Sequence, residues 1–363
     1  MEENQSYLNE QIITCLGNKR LLLNQIGEAV KVVQSELGKE KLRCGDLFSG
    51  SGIVSRYLKK FSSFLWANDL ESFSYVTNSC YLENKSCVDF DELRKDLKTI
   101  QDGIQKNFVA GHIAETYAPK DDLCITHGER VFYTRRNAIY LDCALREIAK
   151  LPHEKQKFFL APLISEASIH ANTSGVFKGF YKNKHGIGKF GGEAGHALKR
   201  ITGEIDLKLP ILSNYICDYQ VTQFESSDAI SQAPELDFIY LDPPYNQHPY
   251  GSNYFMLNLI AENKAHKDIS PISGIPRNWK RSAFNQKKLA KAKLFSVIEK
   301  LPAKYILISY NSEGFIKYDE FCKFLNSIGE MTHKTLIYNT FRGCRNLNKR
   351  NLKVKEYMFL LKK

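Results

Sequence analysis

Residues 42–52 have the sequence LRCGDLFSGSG, in which a strand-like run leads into a turn rich in glycine. The apolar run 42–48 predicts a β-strand, and Gly50 and Gly52 predict a tight turn after it. Residues 53–60 then have helical spacing. This stretch therefore predicts a strand, a glycine turn and a helix in direct succession.

The same pattern follows once more, with a strand predicted over residues 64–67 and a helix over residues 72–82. Two successive strand–helix units predict a parallel sheet with right-handed crossovers, in an α/β domain. Further strands are predicted at residues 215–222, 236–241, 305–309, 334–338 and 354–361. We expect the last two to form an antiparallel pair at the edge of the sheet.

Between these two groups of strands the pattern changes to helices, such as residues 136–151, and a basic, glycine-rich stretch. A chain of 363 residues is long enough to carry a second module beside its main core. We therefore predict an α/β domain in two parts, residues 1–88 and 219–363, with an inserted module over residues 89–218.

The overall composition is that of a globular protein with a basic balance. The formal net charge is +11, which favours a polyanionic partner, although many basic proteins bind no nucleic acid. The nine cysteines form no Cys-x-x-Cys pair, and the spacing of Cys124 and His127 lacks a second pair, so we predict no metal. No apolar run reaches the length of a membrane span and no leader is recognised, so we expect a cytoplasmic location.

Three segments before residue 70 carry candidate ligand contacts. The two glycines of 46–52 let the backbone approach a ligand, and Asp69 at the end of the next strand can accept hydrogen bonds from ribose hydroxyls. A tight turn and a solvated strand end are the alternatives. Near the N-terminus, Gly17 offers a further close approach and Lys19 a cation for a carboxylate, unless they only begin an ordinary helix.

The tetrapeptide Asp242-Pro243-Pro244-Tyr245 follows a predicted central strand, at the end where open α/β sheets bind ligands. The prolines remove two N–H donors and leave carbonyl acceptors. Asp242 and the carbonyl of Pro243 can each accept one hydrogen of an exocyclic amino group, which directs its lone pair toward a methyl donor. Tyr245 can stack on a base. Such a site needs neither a metal nor a covalent intermediate.

These motifs, in this order, resemble those of the adenine-specific (N6) DNA methyltransferases of the Dam-like group. The resemblance implies a Rossmann-like, S-adenosylmethionine-dependent domain with an inserted target-recognition domain, acting on an adenine flipped out of double-stranded DNA. The cofactor contacts that it implies, with the glycines of the same loops, are Gly17, Lys19, Asp46, Phe48, Gly50, Gly52, Asp69 and Asp228, the last facing the cofactor adenine. One departure is Leu16-Gly17-Asn18-Lys19, where the group usually has Gly-Gly-Lys.

Two later loops are further candidates for this site, and the second of them resembles an element of the group. Residues 246–254 form a polar, aromatic loop placed to close over a base, and residues 309–314 are similar to an element that lines the same pocket. A plain turn is the alternative for each. We expect a monomer, and a cognate restriction endonuclease is a further partner that the sequence leaves open.

Basic side chains beside glycines and aromatics predict the DNA-contacting surface. The inserted stretch 174–200 and the patch 277–281 contribute the candidates Lys178, Lys182, Lys184, Lys189, Arg277, Lys280 and Arg281. A third basic patch comprises Arg342, Arg345, Lys349 and Arg350. A solvated surface loop is the alternative for all three.

Other amino-group methyltransferases are the rival interpretation. Protein glutamine enzymes typically begin the tetrapeptide with Asn and cytosine-N4 enzymes with Ser, whereas this chain has Asp242. Small rRNA guanine enzymes lack both the N-terminal lysine motif and so large an insert. A non-catalytic DNA-binding relative is the rival from another class, and the intact tetrapeptide disfavours it.

Overall fold

A computed structural model describes residues 2–10, 13, 17, 19–192, 195–339 and 353–363 of the chain. The helices are α1 Gln5–Asn9, α2 Leu23–Leu37, α3 Ile53–Leu58, α4 Ser72–Tyr81, α5 Phe90–Lys106, α6 His112–Tyr117, α7 Arg135–Ile148, α8 His153–Ile169, α9 Leu198–Thr202, α10 Ser226–Ser231, α11 Tyr250–Asn253, α12 Phe255–Glu262, α13 Lys287–Lys300 and α14 Tyr318–Ile328. The strands are β1 Leu42–Asp46, β2 Ser62–Asn68, β3 Asp218–Thr222, β4 Leu236–Leu241, β5 Ala303–Asn311, β6 Glu330–Asn339 and β7 Lys353–Lys362.

The strands form one seven-stranded sheet in the order β3-β2-β1-β4-β5-β7-β6. Strands β1 to β5 pair in parallel, and β7 runs antiparallel to both β5 and β6. The predicted α/β, Rossmann-like fold and its antiparallel edge pair are therefore confirmed.

Each face of the sheet buries its own apolar cluster, because successive side chains of a strand point to opposite faces. On β4, Ile239 packs in the cluster that α13 and α14 cover, whereas Phe238 and Tyr240 pack in the cluster that α2 and α3 cover. All six residues of β4 are buried. This agrees with its largely apolar sequence, as expected for a central strand covered on both faces. The exception is Asp237, which pairs with Lys39 and Lys304.

Helices α5 to α9 lie between α4 and β3 in the chain, within the segment predicted as an inserted module. The apolar residues of α5 to α8 share one cluster with α4 and α12, in which Leu141 and Phe159 lie with Phe73 and Leu257. The helical segment therefore packs on the sheet domain through α4 and α12. The predicted boundaries at residues 88/89 and 218/219 stay a prediction.

Strand β3 begins three residues later than the sequence pattern predicts, at Asp218 instead of residue 215. The backbone of Cys217 is instead bonded by the side chain of Asn84, whose Nδ2 donates to the Cys217 carbonyl at 3.0 Å and whose Oδ1 accepts from its N–H at 3.3 Å. The Asn84 side chain thus makes the hydrogen bonds that a neighbouring strand would make if β3 began at Cys217. None of the helices that the structure describes is both long and apolar enough to cross a membrane.

Candidate active site

A cavity of about 900 Å³ opens at the carboxyl ends of β1 and β4. The sheet order reverses between these two strands, since β2 and β3 lie on the far side of β1 while β5 lies beyond β4. Open α/β sheets bind ligands at such a switch point. Because Asp46 pairs in register with Tyr240, the ends of β1 and β4 bring Asp46 and Asp242 into the lining of one cavity.

The glycine turn after β1 is shaped by two residues with positive φ. Gly50 has φ 51° and Gly52 has φ 75°, values that favour glycine. The Gly50 N–H donates to Asp69 Oδ2 at 2.7 Å, so the turn is tied to the end of β2. A Cβ at Gly52 would lie 2.7 Å from Asn78 Oδ1. Gly50 lines the cavity, whereas Gly52 starts α3 outside the lining.

Asp46 places a buried carboxylate on the cavity wall. Its Oδ2 accepts from Ser55 Oγ at 2.7 Å, and its Oδ1 is buried without a hydrogen-bond partner among the residues that the structure describes. Burial raises the pKa of Asp46 to about 7. An oxygen in this state can bind a cationic or hydrogen-donating ligand group.

Asp69 and Glu71 supply two more carboxylates at the end of β2. Asp69 accepts the N–H groups of Gly50 and Glu71 at 2.7 and 2.9 Å, and burial raises its pKa. Glu71 accepts from Asn258 Nδ2 at 2.5 Å, and burial raises its pKa to about 7. Each carboxylate oxygen has a second lone pair, so both side chains can still accept from ligand hydroxyls. Glu71 was not among the predicted contacts.

Lys19 lies at the base of the cavity between two protein carboxylates. Its Nζ is 3.1 Å from Asp242 Oδ1 and 2.9 Å from Glu356 Oε1, and its side chain is only 5% exposed. These two partners raise the pKa of Lys19 well above its usual value, against the effect of burial. The predicted cation is therefore present, and it is paired within the protein.

Glu356 on β7 is another functional candidate that the sequence does not predict. Its side chain is fully buried, accepts from Ser309 Oγ at Oε1 and from Asn311 Nδ2 at 3.3 Å at Oε2. The alternation of β7 places it in a buried row with Val354 and Met358. An acidic residue on the apolar face of a predicted strand was the available signal, because carboxylates are rarely buried without a partner.

The tetrapeptide begins directly after β4. Asp242 and Pro244 line the cavity, Pro243 is buried, and Tyr245 is half-buried with its ring 6.0 Å from that of Tyr310. Asp242 keeps 18% of its side chain exposed. Burial raises the pKa of Asp242 to about 6, and the Lys19 ammonium acts in the opposite direction. At neutral pH the carboxylate is therefore ionised and open to the cavity.

A family model for D12 class N6 adenine-specific DNA methyltransferases matches residues 16–324. The chain belongs to this family. It is 29% identical to the type II methyltransferase M.NlaIII of Neisseria lactamica, over 96% of this chain and 98% of that protein. It is 27% identical to the type II methyltransferase M.CviAII of Paramecium bursaria Chlorella virus 1, over 87% and 89% of the two chains. The type II methyltransferase M.FokI of Planomicrobium okeanokoites is 28% identical over 96% of this chain and 52% of its own.

The function predicted from the motifs, DNA adenine methylation, is thereby confirmed over the other amino-group methyltransferases. Of the eight predicted cofactor contacts of this methyltransferase, six line the cavity: Gly17, Lys19, Asp46, Phe48, Gly50 and Asp69. Asp228 is exposed on α10. The neighbouring residues Phe224, Glu225 and Ser226 line the cavity in its place.

Of the two later candidate loops, only residues 246–254 contribute to the cavity lining. Tyr250 and Gly251 from the loop after the tetrapeptide line the cavity, whereas Ser309 and Asn311 bond Glu356 behind it. The ring of Phe284 lines the cavity and meets Phe48 edge-on, with ring centres 5.2 Å apart. Phe284 had not been predicted.

The predicted DNA contacts of the methyltransferase fall in two places. Lys182 and Lys184 are exposed on a hairpin that closes with a bridge from Lys182 to Gly188, and Asn183 Oδ1 accepts the N–H groups of the turn. Lys178 is exposed and Lys189 is half-buried in the same stretch.

In the second place, Arg277 pairs with Asp268 at 3.2 Å and Arg281 lies over the Trp279 ring. Lys280 lies at the rim of the cavity, where its Nζ donates to the Leu70 carbonyl at 3.0 Å. The third predicted patch, Arg342, Arg345, Lys349 and Arg350, lies outside the described residues.

Proposed function

We propose that this chain is a site-specific DNA-methyltransferase (adenine-specific) that moves a methyl group from S-adenosylmethionine to N6 of an adenine turned out of double-stranded DNA. The observation that carries the proposal is the shared cavity of Asp46 and Asp242. A cofactor site and a target-amine site at the ends of neighbouring strands allow direct transfer between their ligands.

The residues present fit the cofactor. The cavity is lined by apolar side chains with charged and polar groups among them, as ligand sites commonly are. Asp46 Oδ1, which has no hydrogen-bond partner among the described residues, can meet the ammonium group of the methionine part. Asp69 and Glu71 suit ribose hydroxyls, and Phe48 and Phe284 offer apolar surface to the adenine ring. When bound, S-adenosylmethionine supplies a methyl group that is already activated by a positive sulfur.

The protein's own contribution is to orient the amine and to stabilise the charge that develops on it. Lys19 contacts Oδ1 of Asp242, so Oδ2 is the oxygen offered to one amine hydrogen, and the carbonyl of Pro243 can take the other. As the nitrogen acquires the methyl group it becomes positive, and the fixed Asp242 carboxylate stabilises that charge in a largely dry site. The surplus proton can leave by way of the same oxygen.

A target adenine must leave the base stack to reach this depth. The exposed Lys182 and Lys184 on the hairpin, with Arg277 and Arg281, supply positive charge for the phosphates of duplex DNA. Since two of the relatives named above are type II methyltransferases that align over most of their length, we include a cognate restriction endonuclease as a biological partner of this chain.

The test is transfer of label from methyl-tritiated S-adenosylmethionine to duplex DNA, followed by digestion to nucleosides. We expect the label in N6-methyldeoxyadenosine, and we expect Asp242→Asn to reduce it while cofactor affinity by calorimetry stays within a few-fold of wild type. Label found only in cytosine, RNA or protein would refute the proposal.

A further inference from the structure

Asp242, Lys19 and Glu356 form a chain of alternating charges that ends in a fully buried carboxylate. Glu356 does not reach the cavity lining, yet its two oxygens contact Lys19, Ser309 and Asn311. Burying a carboxylate without partners is costly, and an apolar residue would pack in the row of Val354 and Met358 at lower cost. Stability alone therefore gives little reason for a carboxylate at this position.

On the basis of the proposed function, we propose that Glu356 is a positioning residue for methyl transfer. It holds the Lys19 ammonium between two carboxylates, so that Lys19 covers only Oδ1 of Asp242 and the second oxygen stays available to the target amine.

The distances support the proposal that Lys19 is shared between Glu356 and Asp242. Lys19 Nζ is 2.9 Å from Glu356 and 3.1 Å from Asp242, so the ammonium is shared between both carboxylates. An ammonium has three donors. Without Glu356, all of them could turn toward Asp242, compete with the amine for its oxygens and neutralise its charge.

The charge of the group matters as well as its geometry. One ammonium between two carboxylates leaves one net negative charge, and the target nitrogen becomes positive during transfer. Among the described residues, the other titratable groups near this cluster are Tyr240 from β4, Tyr245 from the tetrapeptide, Asp46 from β1 and, beside Tyr245, Glu313. Burial raises the pKa of both tyrosines, which are neutral at pH 7.5.

The experiment compares single-turnover methylation rates across pH, with enzyme in excess over DNA and saturating cofactor, for the wild type and Glu356→Gln. We expect the variant to be about 10-fold to 100-fold slower, by analogy with the loss seen when the hydrogen-bond partner of a metal ligand is removed. The pH at which the rate is half-maximal should fall, because the negative charge of Glu356 raises the pKa of Asp242. In Lys19→Met it should rise, because Lys19 lowers that pKa.

Asp237→Asn is the matched control. Asp237 is a buried carboxylate at the start of β4, bound to Lys39 at 2.8 Å and Lys304 at 3.1 Å, far from the tetrapeptide end of the same strand. We expect it to lower the melting temperature without moving the half-maximal pH. If Glu356→Gln behaved in the same way, Glu356 would have only a structural role and the inference would be overturned.

The double variant Lys19→Met/Glu356→Gln removes both members of the Lys19–Glu356 pair, so no lysine is left at this place without its Glu356 partner. It tests whether Glu356 acts through Lys19. We expect it to be no slower than Lys19→Met, because the effects of residues that act as one unit do not add. Independent, additive losses would overturn the inference. If the wild type itself failed to methylate adenine, the proposed function would be wrong; normal wild-type transfer with an unaffected Glu356→Gln would reject this inference alone.

Discussion

Lowering the pH should slow methyl transfer through protonation of Asp242. The structure buries this side chain beside Lys19 and raises its pKa to about 6. At pH 7.5 nearly all of it is ionised, at pH 6 about half, and at pH 5 about one-tenth, if one group governs the profile. The protonated carboxyl no longer offers a negative charge to the nitrogen that accepts the methyl group. The rate should therefore fall about 10-fold between pH 7.5 and pH 5.

The assay is single-turnover methylation of duplex DNA by excess enzyme, with methyl-tritiated cofactor and rapid quenching. Cofactor affinity must be measured by calorimetry at each pH, because burial also raises the pKa of Asp46 and Glu71 to about 7. Circular dichroism checks that the protein is folded at pH 5.

Asp242→Asn is the control for this profile, since it keeps the shape of the side chain and removes the titrating group. We expect a rate lowered by about 100-fold to 1,000-fold, the usual loss on removing one preorganised charge-stabilising group, with no dependence on pH in this range. A wild-type rate that stayed constant from pH 7.5 to pH 5, or an Asn variant with the same inflection, would refute the assignment.

Three further predictions concern stability and DNA binding. Burial raises the pKa of Asp46 to about 7, above its value of about 4 in an unfolded chain. The Asp46 side chain of the free enzyme therefore favours folding at low pH, and this stabilisation is lost as the pH rises from about 4 to about 7. In Asp46→Asn the melting temperature should change less between pH 5.5 and pH 7.5 than in the wild type, and an equal change would contradict this. Gly52→Ala combines positive φ with a contact at 2.7 Å to Asn78 and should cost about 1–3 kcal/mol in denaturant unfolding, whereas Gly38→Ala, with positive φ and open space, should cost less. Replacing Lys182, Lys184 and Lys189 together by Gln should weaken DNA binding and reduce its dependence on salt concentration. An unchanged slope of affinity against salt concentration would show that these three residues do not contact DNA.

The parts of the fold that local sequence determines were the ones predicted well. The strand predicted before Asp242 coincides with β4 over residues 236–241, because a strand covered on both faces favours apolar residues at nearly every position, Asp237 being the exception here. The glycine turn was recognisable because positive φ restricts the choice of residue at Gly50. Both signals lie within a few residues of chain, so neither needs knowledge of a distant partner.

The residues that were missed or misplaced depend on tertiary contacts. Glu356 acquires its role from Lys19, at the opposite end of the chain, and only the register of β5 with β7 sets it beside Asn311. Asp228 lies outside the cavity because helix α10 turns Ser226 and Ala229 inward and leaves Asp228 exposed. Successive side chains of a helix differ in direction by about 100°. Asp228, two residues after the inward-facing Ser226, therefore points into solvent.

The two carboxylates that end β1 and β4 have different environments for the same reaction. Among the residues that the structure describes, Asp46 has no ion pair with a cation, so burial dominates and raises its pKa to about 7. Beside Asp242, the Lys19 ammonium acts against the effect of burial on its pKa and favours the ionised form. Carboxylates in such different environments can have separate tasks. Asp46 is suited to gain its charge when a cationic cofactor arrives, whereas Asp242 is ionised beforehand and can stabilise a charge that appears only during transfer. Lys19, held from behind by Glu356, is the group that makes this difference.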